Sequence, residues 1–399
     1  MEQPLLERLA ELAVGFGANV QPGQILIVNA EVGREQVARA ISDAAYRAGA
    51  RFVEVDYSDA WARRARIEHG PDDAIGFAPD WQVERTRQLG EEHVALITLE
   101  AALDPAAMAG LDPARVGADQ SPVRQAYLRL VVEQLINWCI VACPTREWAV
   151  QVYPELDADV ALDRLTADLA HVLRLDAEHP VEAWTSRFSR LREIAGRLTE
   201  RRLDAVHFRG EGTDLTIGLL PSSRWLAASF ETAGGVTHHA NLPSEEVFTT
   251  PDPARAEGTV RSTTPLLVEG STIEGLRVRF EGGRAVAIDA DTNADVLRAR
   301  AARDEGAARL GEVALVDGEG RIGALHRVFY STLLDENAAS HIALGNALTA
   351  AVADESERAS ANTSSIHIDF MIGSPEMEVD GLTASGERAP LLRHGEWQL

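Results

Sequence analysis

Residues 24–57, QILIVNAEVGREQVARAISDAAYRAGARFVEVDY, decide the fold of the first half of the chain. The run QILIVNA (24–30) is short and almost entirely apolar, which is typical of a buried strand. Residues 33–48 repeat apolar side chains at helical spacing, and FVEVDY (52–57) alternates like a strand. Strand, helix and strand in this order form the unit from which parallel sheets are built.

The sequence on either side extends this pattern. Further predicted elements are a helix over 3–17, strands HVALITLEA (93–101) and WCIVACP (138–144), and helices over 119–136 and 155–202. We therefore expect an α/β N-terminal domain with a mostly parallel sheet over residues 1–195.

The pattern changes at residue 204, from where short alternating strands follow one another. The predicted strands are DAVHFRG (204–210), TDLTIGL (213–219), GTVRSTTPLLV (258–268), LRVRFEGG (276–283) and RAVAIDA (284–290). Helices are expected over 293–308 and 337–353, and ALHRVFY (324–330) is expected to form a strand. Short strands separated by turn residues favour an α+β C-terminal domain, residues 196–399, with an antiparallel sheet or partial barrel.

Charge restricts the partners of the protein. Its 399 residues include 62 acidic and 38 basic side chains, which give a formal net charge of −24. This charge argues against nucleic acid and anionic membranes as partners, because both are polyanions. All basic residues are arginine, so lysine-dependent chemistry is excluded. There is neither a transmembrane run nor a signal-peptide pattern, and we expect a cytoplasmic protein.

Three motifs that often carry function have simpler explanations here. Residues 318–323 match G-x-G-x-x-G, but a dinucleotide site needs a helix that opens at the third glycine, so we expect a turn. His238 and His239 are adjacent and would point to opposite faces of an extended chain, so we expect a solvent loop. Cys139 and Cys143 are expected to be two buried thiols.

The first group of acidic residues in apolar surroundings lies in the segment NLPSEEVFTTPD (241–252). Its two carboxylates, Glu245 and Glu246, are flanked by leucine, valine and phenylalanine, which is unusual for a solvated pair. Glu312 begins the buried-looking strand EVALV, where a carboxylate needs a partner. These three residues are therefore candidates for a site.

Two further clusters lie in the last quarter of the chain. Asp335 is expected to cap the predicted helix that follows it, with Glu336 in its first turn and His341 one turn inside. His367 and Asp369 are two residues apart on a predicted strand, so both side chains project from the same face.

Each of these residues alone has an ordinary structural explanation, but together they predict a metal site. Four carboxylates carry a charge of −4 with no lysine to pair them, and two divalent ions would balance that charge. Mixed carboxylate and imidazole ligands suit zinc, cobalt or manganese. The proposed carboxylates are Glu246, Glu312, Glu336 and Asp369, and the histidines are His341 and His367.

At these motifs the sequence resembles the thermophilic-metalloprotease-like aminopeptidases, the family of aminopeptidase T, aminopeptidase S and PepS. The resemblance is carried by NLPSEEVFTTP (241–251), LGEVALV (310–316), FYSTLLDENAASHIALG (329–345), IHIDFMIGS (366–374) and a tail with VDGL and G-x-R-x-P (379–390). It extends over nearly the whole chain.

The resemblance implies an activity and a cofactor. It places metal ligands at Glu246, Glu312, Glu336, His341, His367 and Asp369. Members of the family bind two divalent ions (Zn, Co, Mn or Mg) and remove N-terminal amino acids from small peptides. The resemblance also implies a homodimer of two-domain subunits, with the site in the second domain.

Two residues qualify this expectation. The family usually has a tyrosine seven residues after the ligand histidine, thought to assist catalysis, and this chain has Leu348 there. Seven residues are about two turns of the predicted helix over 337–353, so we expect Leu348 to share a face with His341. Glu245 is a candidate general base for an activated water, and the alternative for it is a hydrogen bond or ion pair beside the site.

Two rival functions stay open from the residues. His341, His367 and Asp369 form a two-histidine, one-carboxylate set that suits a mononuclear iron ring-cleaving dioxygenase. That hypothesis leaves three glutamates unexplained. The other alternative is a metal-stabilised peptide-binding protein that has lost activity with the tyrosine.

Overall fold

The computed structural model describes residues 1–101, 105–119, 121–227, 229–268 and 270–399. The chain divides into two compact units, Met1–Trp184 with Ala228–Pro243, and Thr185–Ala227 with Ser244–Leu399. The division into domains at residues 1–195 and 196–399 stays a prediction. Within the described ranges, every helix is too short or too polar to cross a membrane.

Twelve α-helices occur in the described part of the chain. They are α1 (Gln3–Glu11), α2 (Glu35–Arg47), α3 (Ala60–His69), α4 (Asp80–Glu91), α5 (Pro105–Met108), α6 (Pro113–Ala118), α7 (Pro122–Val132), α8 (Arg146–Val152), α9 (Ala158–Val172), α10 (Pro180–Glu200), α11 (Ala294–Ala301) and α12 (Thr332–Asp335). A π-helical segment, Leu12–Gly17, continues α1, so the helix predicted over 3–17 is confirmed.

The strands of the same described residues number twenty-two. They are β1 (Ile25–Glu31), β2 (Phe52–Ser58), β3 (Ala95–Glu100), β4 (Asn137–Ala142), β5 (Ala205–Gly210), β6 (Thr213–Leu219), β7 (Leu226–Ala227), β8 (Ser229–Glu231), β9 (Thr237–His239), β10 (Asn241–Leu242), β11 (Glu246–Thr249), β12 (Pro251–Arg261), β13 (Leu266–Val268), β14 (Ser271–Ile273), β15 (Arg277–Glu281), β16 (Arg284–Asp289), β17 (Leu310–Val316), β18 (His341–Gly345), β19 (His367–Met371), β20 (Glu378–Leu382), β21 (Arg388–Arg393) and β22 (Glu396–Trp397).

The first unit is built on a parallel sheet of five strands in the order β10-β4-β3-β1-β2. Each neighbouring pair in it runs parallel. The apolar run of β1 places Leu26, Ile27 and Val28 in the buried interior, because a central strand is covered on both faces. The predicted α/β fold with a mostly parallel sheet is confirmed.

The second unit contains two large antiparallel sheets. One has eight strands in the order β16-β15-β12-β6-β5-β20-β21-β22, and the other has five in the order β19-β18-β17-β11-β7. A single cluster of buried apolar side chains includes residues from both sheets and from α10 and α11. The α+β fold with antiparallel sheets is confirmed, and neither sheet closes into a barrel across the described residues.

The helix predicted over 337–353 is wrong. Residues His341–Gly345 form strand β18, which pairs with β17 on one side and β19 on the other. Ile342 and Leu344 face the apolar cluster, while His341 alternates with them. The local pattern has too few residues to separate a period of 2 from one of 3.6, and pairing with two distant strands decides between them.

Two other local predictions are wrong. The expected strand at 324–330 is instead a single 3₁₀ turn, Gly323–Leu325, followed by irregular chain with positive φ at His326 and Tyr330. The helix expected over 293–308 ends early, because α11 covers only Ala294–Ala301. Residues 318–323 do lie in turns and open no α-helix, as expected.

The pair His238–His239 is buried, so the expected solvent loop is wrong. Both residues lie on β9, and the imidazole of His238 lies 6.1 Å from the rings of Trp138 and Phe230. The His239 ring stacks on Phe16 at 4.0 Å. Aromatic packing explains why two polar residues are inside. The thiols of the two cysteines are free and buried, as expected.

Candidate metal centre

The five-stranded sheet carries five of the six predicted ligands on four adjacent strands, β11, β17, β18 and β19. Ala343 lies opposite Glu312 on one side and opposite Asp369 on the other, and Ala314 lies opposite His341. Directly opposed residues of antiparallel strands project from the same face. Glu312, Asp369 and His341 therefore share one face of the sheet.

The opposite face of the same strands is apolar. The residues that alternate with the predicted ligands belong to the buried apolar cluster: Val247, Val313, Leu315, Ile342, Leu344 and Phe370. The period of two along each strand thus separates a polar face from a core face. The predicted sharing of a face by His367 and Asp369 follows from this arrangement.

Two histidines contact three of the carboxylates. His341 Nε2 lies 3.1 Å from Glu246 Oε2. His367 Nε2 lies 3.2 Å from Glu312 Oε2 and 3.2 Å from Asp369 Oδ1. The structure therefore brings together residues from positions 246, 312, 341, 367 and 369.

Three overlapping groups of donor atoms form, each with its atoms within 4.8 Å of one another. The groups are Glu246–Glu312–His341, Glu312–His367–Asp369 and Glu336–His341–Asp369. Glu336, which belongs to the third group, is the residue directly after α12. All six residues predicted as ligands from the sequence thus occur in these groups.

Hydrogen bonds orient both imidazoles toward the carboxylates. The Nδ1 atom of His341 donates to the carbonyl of Ala339 at 3.2 Å, and that of His367 donates to the carbonyl of Asn346 at 2.8 Å. In a neutral imidazole this leaves the Nε2 lone pair facing the carboxylate oxygens. Lone pairs that face one another in a buried site call for a cation between them, and this is the usual arrangement of metal-binding histidines.

Two buried carboxylate oxygens support the fit to a metal. Glu246 Oε2 and Asp369 Oδ1 lack any partner with hydrogen-bond geometry, although an imidazole nitrogen lies close to each. An unpaired buried carboxylate is costly, and a bound cation would remove that cost. Imidazole and carboxylate donors together fit zinc, cobalt or manganese.

The pKa values in this cluster diverge strongly. Burial alone would lower the pKa of His341, but Glu246, with help from Glu312 and Asp369, raises it to about 10. Burial, followed by repulsion from Asp369 and Glu246, raises the pKa of Glu336 well above its ordinary value. Burial also raises the pKa of Glu312. Without a metal ion, these shifts favour the protonated forms of Glu312 and Glu336.

For Asp369 and His367 the mutual attraction outweighs desolvation. Burial would raise the pKa of Asp369, yet His367 and His341 hold it below its ordinary value. Desolvation would lower the pKa of His367, yet Asp369 and Glu312 raise it. The His367 side chain is 30% exposed, so it is more accessible to solvent than the carboxylates of Glu312 and Asp369 beside it.

Glu245 belongs to none of the three donor groups. Its carboxylate accepts a hydrogen bond from Arg187 Nε at 2.5 Å, and its backbone N–H donates to Asn337 Oδ1 at 2.7 Å. Sequence reasoning missed both partners. Arg187 is one of many arginines on a polar helix, and only the position of Asn337 directly after Glu336 hinted at a role.

Asp335 and Leu348 occupy positions other than those predicted. Asp335 ends α12 and accepts hydrogen bonds from the N–H groups of Phe329 and Ser331, so it does not cap a following helix. Leu348 lies beyond the end of β18, and its carbonyl accepts from Thr250 Oγ1 at 2.7 Å. The helical argument that put Leu348 on the face of His341 is therefore wrong.

A family model for thermophilic metalloproteases, M29, matches residues 2–397. The chain belongs to the M29 metalloprotease family. The resemblance drawn from the sequence motifs is confirmed, and so is the expectation of an enzyme, since the family consists of metal-dependent peptide hydrolases.

Known proteins similar to this M29 chain agree with the family assignment. Aminopeptidase T of Thermus thermophilus is 40% identical over 400 residues, which cover 98% of each chain. A solved structure, wild-type AmpT from Thermus thermophilus, superposes with a TM-score of 0.92 at 39% identity and covers 99% of each chain.

A more distant structure shares the fold only. The 2,5-dihydroxypyridine dioxygenase of Pseudomonas putida KT2440 superposes with a TM-score of 0.52 at 15% identity, over 98% of this chain and 95% of its own. A likeness at that identity concerns the fold of the M29 chain and not its reaction.

Proposed function

We propose that this M29 protein is an aminopeptidase that hydrolyses the N-terminal bond of small peptides with two divalent metal ions. The proposed ligands are Glu246, Glu312, Glu336, His341, His367 and Asp369. The similarity to aminopeptidase T supports the substrate class.

The overlap of the three donor groups carries the proposal of two ions. Glu312, His341 and Asp369 each belong to two groups, so donors surround more than one position. A single ion with four to six ligands would leave several buried oxygens unpaired. Two divalent ions would also neutralise the charge of the four carboxylates.

The free amino end of a peptide suits the proposed centre. A neutral amine is a nitrogen donor that a divalent ion can accept, and we expect the peptide to enter beside His367, whose side chain is more exposed than those of Glu312 and Asp369. When bound, divalent ions lower the pKa of a coordinated water and polarise the scissile carbonyl. Binding the amine beside that carbonyl would restrict cleavage to the terminal bond.

The role of Glu245 as general base stays a proposal with a direct test. The Glu245→Gln variant keeps the shape of the side chain but cannot accept a proton as a carboxylate does. A kcat reduced by about 10²-fold or more with full metal content supports the base role. An unchanged kcat contradicts it. The homodimer and the cytoplasmic location also stay predictions.

The function is tested by removal and return of metal. Chelated protein should release no leucine from Leu-p-nitroanilide or Leu-Gly-Gly, and Co²⁺, Zn²⁺ or Mn²⁺ should restore release at about two ions per chain. N-acetyl-Leu-Gly-Gly is the matched control, because its blocked amine removes the proposed anchor. Cleavage of the blocked peptide at an equal rate would contradict terminal specificity, and bound metal without turnover would favour a peptide-binding protein.

A further inference from the structure

Both the side chain and the backbone N–H of Glu245, the residue before the proposed ligand Glu246, form hydrogen bonds. Its side chain is completely buried and accepts a hydrogen bond from Arg187, while its backbone N–H donates to Asn337. The two partners come from different elements, α10 and the segment after α12. Arg187 and Asn337 belong to none of the donor groups, so any influence on the site acts through the residues to which they are hydrogen-bonded.

Arg187 is the centre of a buried charge network. Its Nη2 donates to Asp317 Oδ1 at 2.8 Å, and the other oxygen of Asp317 accepts from Trp397 Nε1 at 2.7 Å. The arginine side chain is 6% exposed, and those of Glu245 and Asp317 are 0% and 1% exposed. The guanidinium group thus links Glu245 to Asp317, the residue after β17. Asp317 in turn accepts a hydrogen bond from Trp397 on β22.

Asn337 contacts the proposed ligand Glu336 and the backbone of Glu245, the residue before the proposed ligand Glu246. Its Oδ1 accepts from the backbone N–H of Glu245, and its Nδ2 donates to the carbonyl of Leu333 at 2.9 Å and to Glu336 Oε1 at 3.4 Å. The side chain is completely buried and uses both its acceptor and its donors. It therefore connects the residue before β11, the strand that begins at Glu246, to Glu336, the residue directly after α12.

Metal ligands bind well only when surrounding hydrogen bonds orient them within a few tenths of an ångström. A buried ion network is weak evidence for stability, because desolvation offsets much of its attraction, so its location beside Glu246 calls for another explanation. Resting on the proposed metal centre, we propose that Arg187 and Asn337 are positioning residues, which act through Glu245 to set Glu246 and Glu336 for metal binding.

The test is titration of the chelated full-length protein with Co²⁺, followed by calorimetry and by the visible spectrum of the bound ion. Arg187→Met and Asn337→Leu should weaken Co²⁺ binding by about 10–100-fold and alter the spectrum. Arg187→Lys should recover only part of the affinity, because an ammonium lacks the guanidinium fork. Arg190→Met is the matched control on the same helix, since Arg190 is 42% exposed and pairs only weakly with Glu193 at 3.5 Å.

A milder variant, Trp397→Phe, tests the proposal even if the Arg187 and Asn337 variants do not fold. Trp397→Phe removes only the hydrogen bond to the far side of Asp317, and should weaken Co²⁺ binding by several-fold in a protein that unfolds like the wild type. Co²⁺ affinity and spectrum equal to wild type in folded variants at Arg187 and Asn337 would overturn the proposal. Wild-type protein that binds no Co²⁺ would overturn the metal centre as well, which separates the two failures.

Activity distinguishes positioning from direct catalysis. With Co²⁺ at saturation, the Arg187 and Asn337 variants should regain most of their kcat on Leu-p-nitroanilide, since the residues act on occupancy of the site. A kcat that stays about 100-fold low at full occupancy would overturn the proposal that these residues act on metal binding, and would indicate that they act on Glu245 as the general base.

Discussion

Substitution of Ala343 by leucine should close the metal centre. The residue is completely buried and lies between Glu312 and Asp369 in the register of three adjacent strands. Strands are about 4.8 Å apart, so the Cα atoms of the two acidic residues are roughly 10 Å apart. Their donor oxygens nevertheless lie within 4.8 Å of each other, so both side chains lean over the alanine methyl.

The expected magnitude follows from this geometry. A leucine adds three carbon atoms where the carboxylates of Glu312 and Asp369 converge, and it must push at least one of them away. Four-ligand zinc sites bind with about 10–16 kcal/mol, or roughly 3 kcal/mol for each ligand. Loss of one ligand therefore weakens binding by about 10²-fold. Overpacking should also lower the free energy of unfolding of the metal-free protein by about 1–3 kcal/mol.

The assay is Co²⁺ titration by calorimetry, with urea unfolding of the metal-free protein in parallel. Ala343→Gly is the first control, because it leaves the space open and costs only about 0.5–1 kcal/mol of stability. Ile342→Leu is the second, since Ile342 belongs to the apolar cluster on the other face. Co²⁺ binding by Ala343→Leu within a few-fold of wild type would refute the reasoning that the ligands converge over this residue.

Three further predictions concern protonation and reactivity. Burial lowers the pKa of His238 from 6.5 to about 4, so the folded form resists protonation and the free energy of unfolding should fall by up to about 3 kcal/mol as pH drops from about 6.5 to about 4. Urea unfolding of His238→Phe should lack this component of the pH dependence, and parallel profiles for variant and wild type would contradict it. Burial raises the pKa values of Glu312 and Glu336, so their stabilising contribution to the metal-free protein is lost as pH rises through those values. The increase in melting temperature on adding Co²⁺ should therefore be larger near pH 8 than near pH 5.5, and an equal increase at both would count against it. Burial raises the pKa of Cys143 to about 11, so this thiol should react with Ellman's reagent only after unfolding; rapid reaction in native buffer would contradict its burial.

The proposed ligand set could be predicted from the sequence because its signals are local. Glu312 in an apolar run, His367 and Asp369 at a spacing of two, and the motif around Glu246 each mark a buried charge without reference to distant residues. All six residues recur in the donor groups of the structure. The parallel sheet of the first unit was equally accessible, since apolar strands and amphipathic helices alternate along that part of the chain.

The positions of His341 and His238 were not accessible in this way. A five-residue strand between polar segments has no period that distinguishes it from a helix, and β18 exists because β17 and β19 pair with it. From the sequence alone His238 is expected in a polar loop, whereas in the structure its ring lies near the rings of Trp138 and Phe230. In both cases contacts between residues far apart in the chain outweigh local preference.

By itself, therefore, the sequence identified the side chains of the proposed metal centre and the chemistry they suit, because charge, burial pattern and residue type are properties of short segments. Only the tertiary structure decided how those side chains meet. The pairing of Glu312 and Asp369 across Ala343, and the hold of Arg187 on Glu245, join residues that are far apart in the chain. Such contacts depend on strand register and helix docking, which many distant interactions decide together.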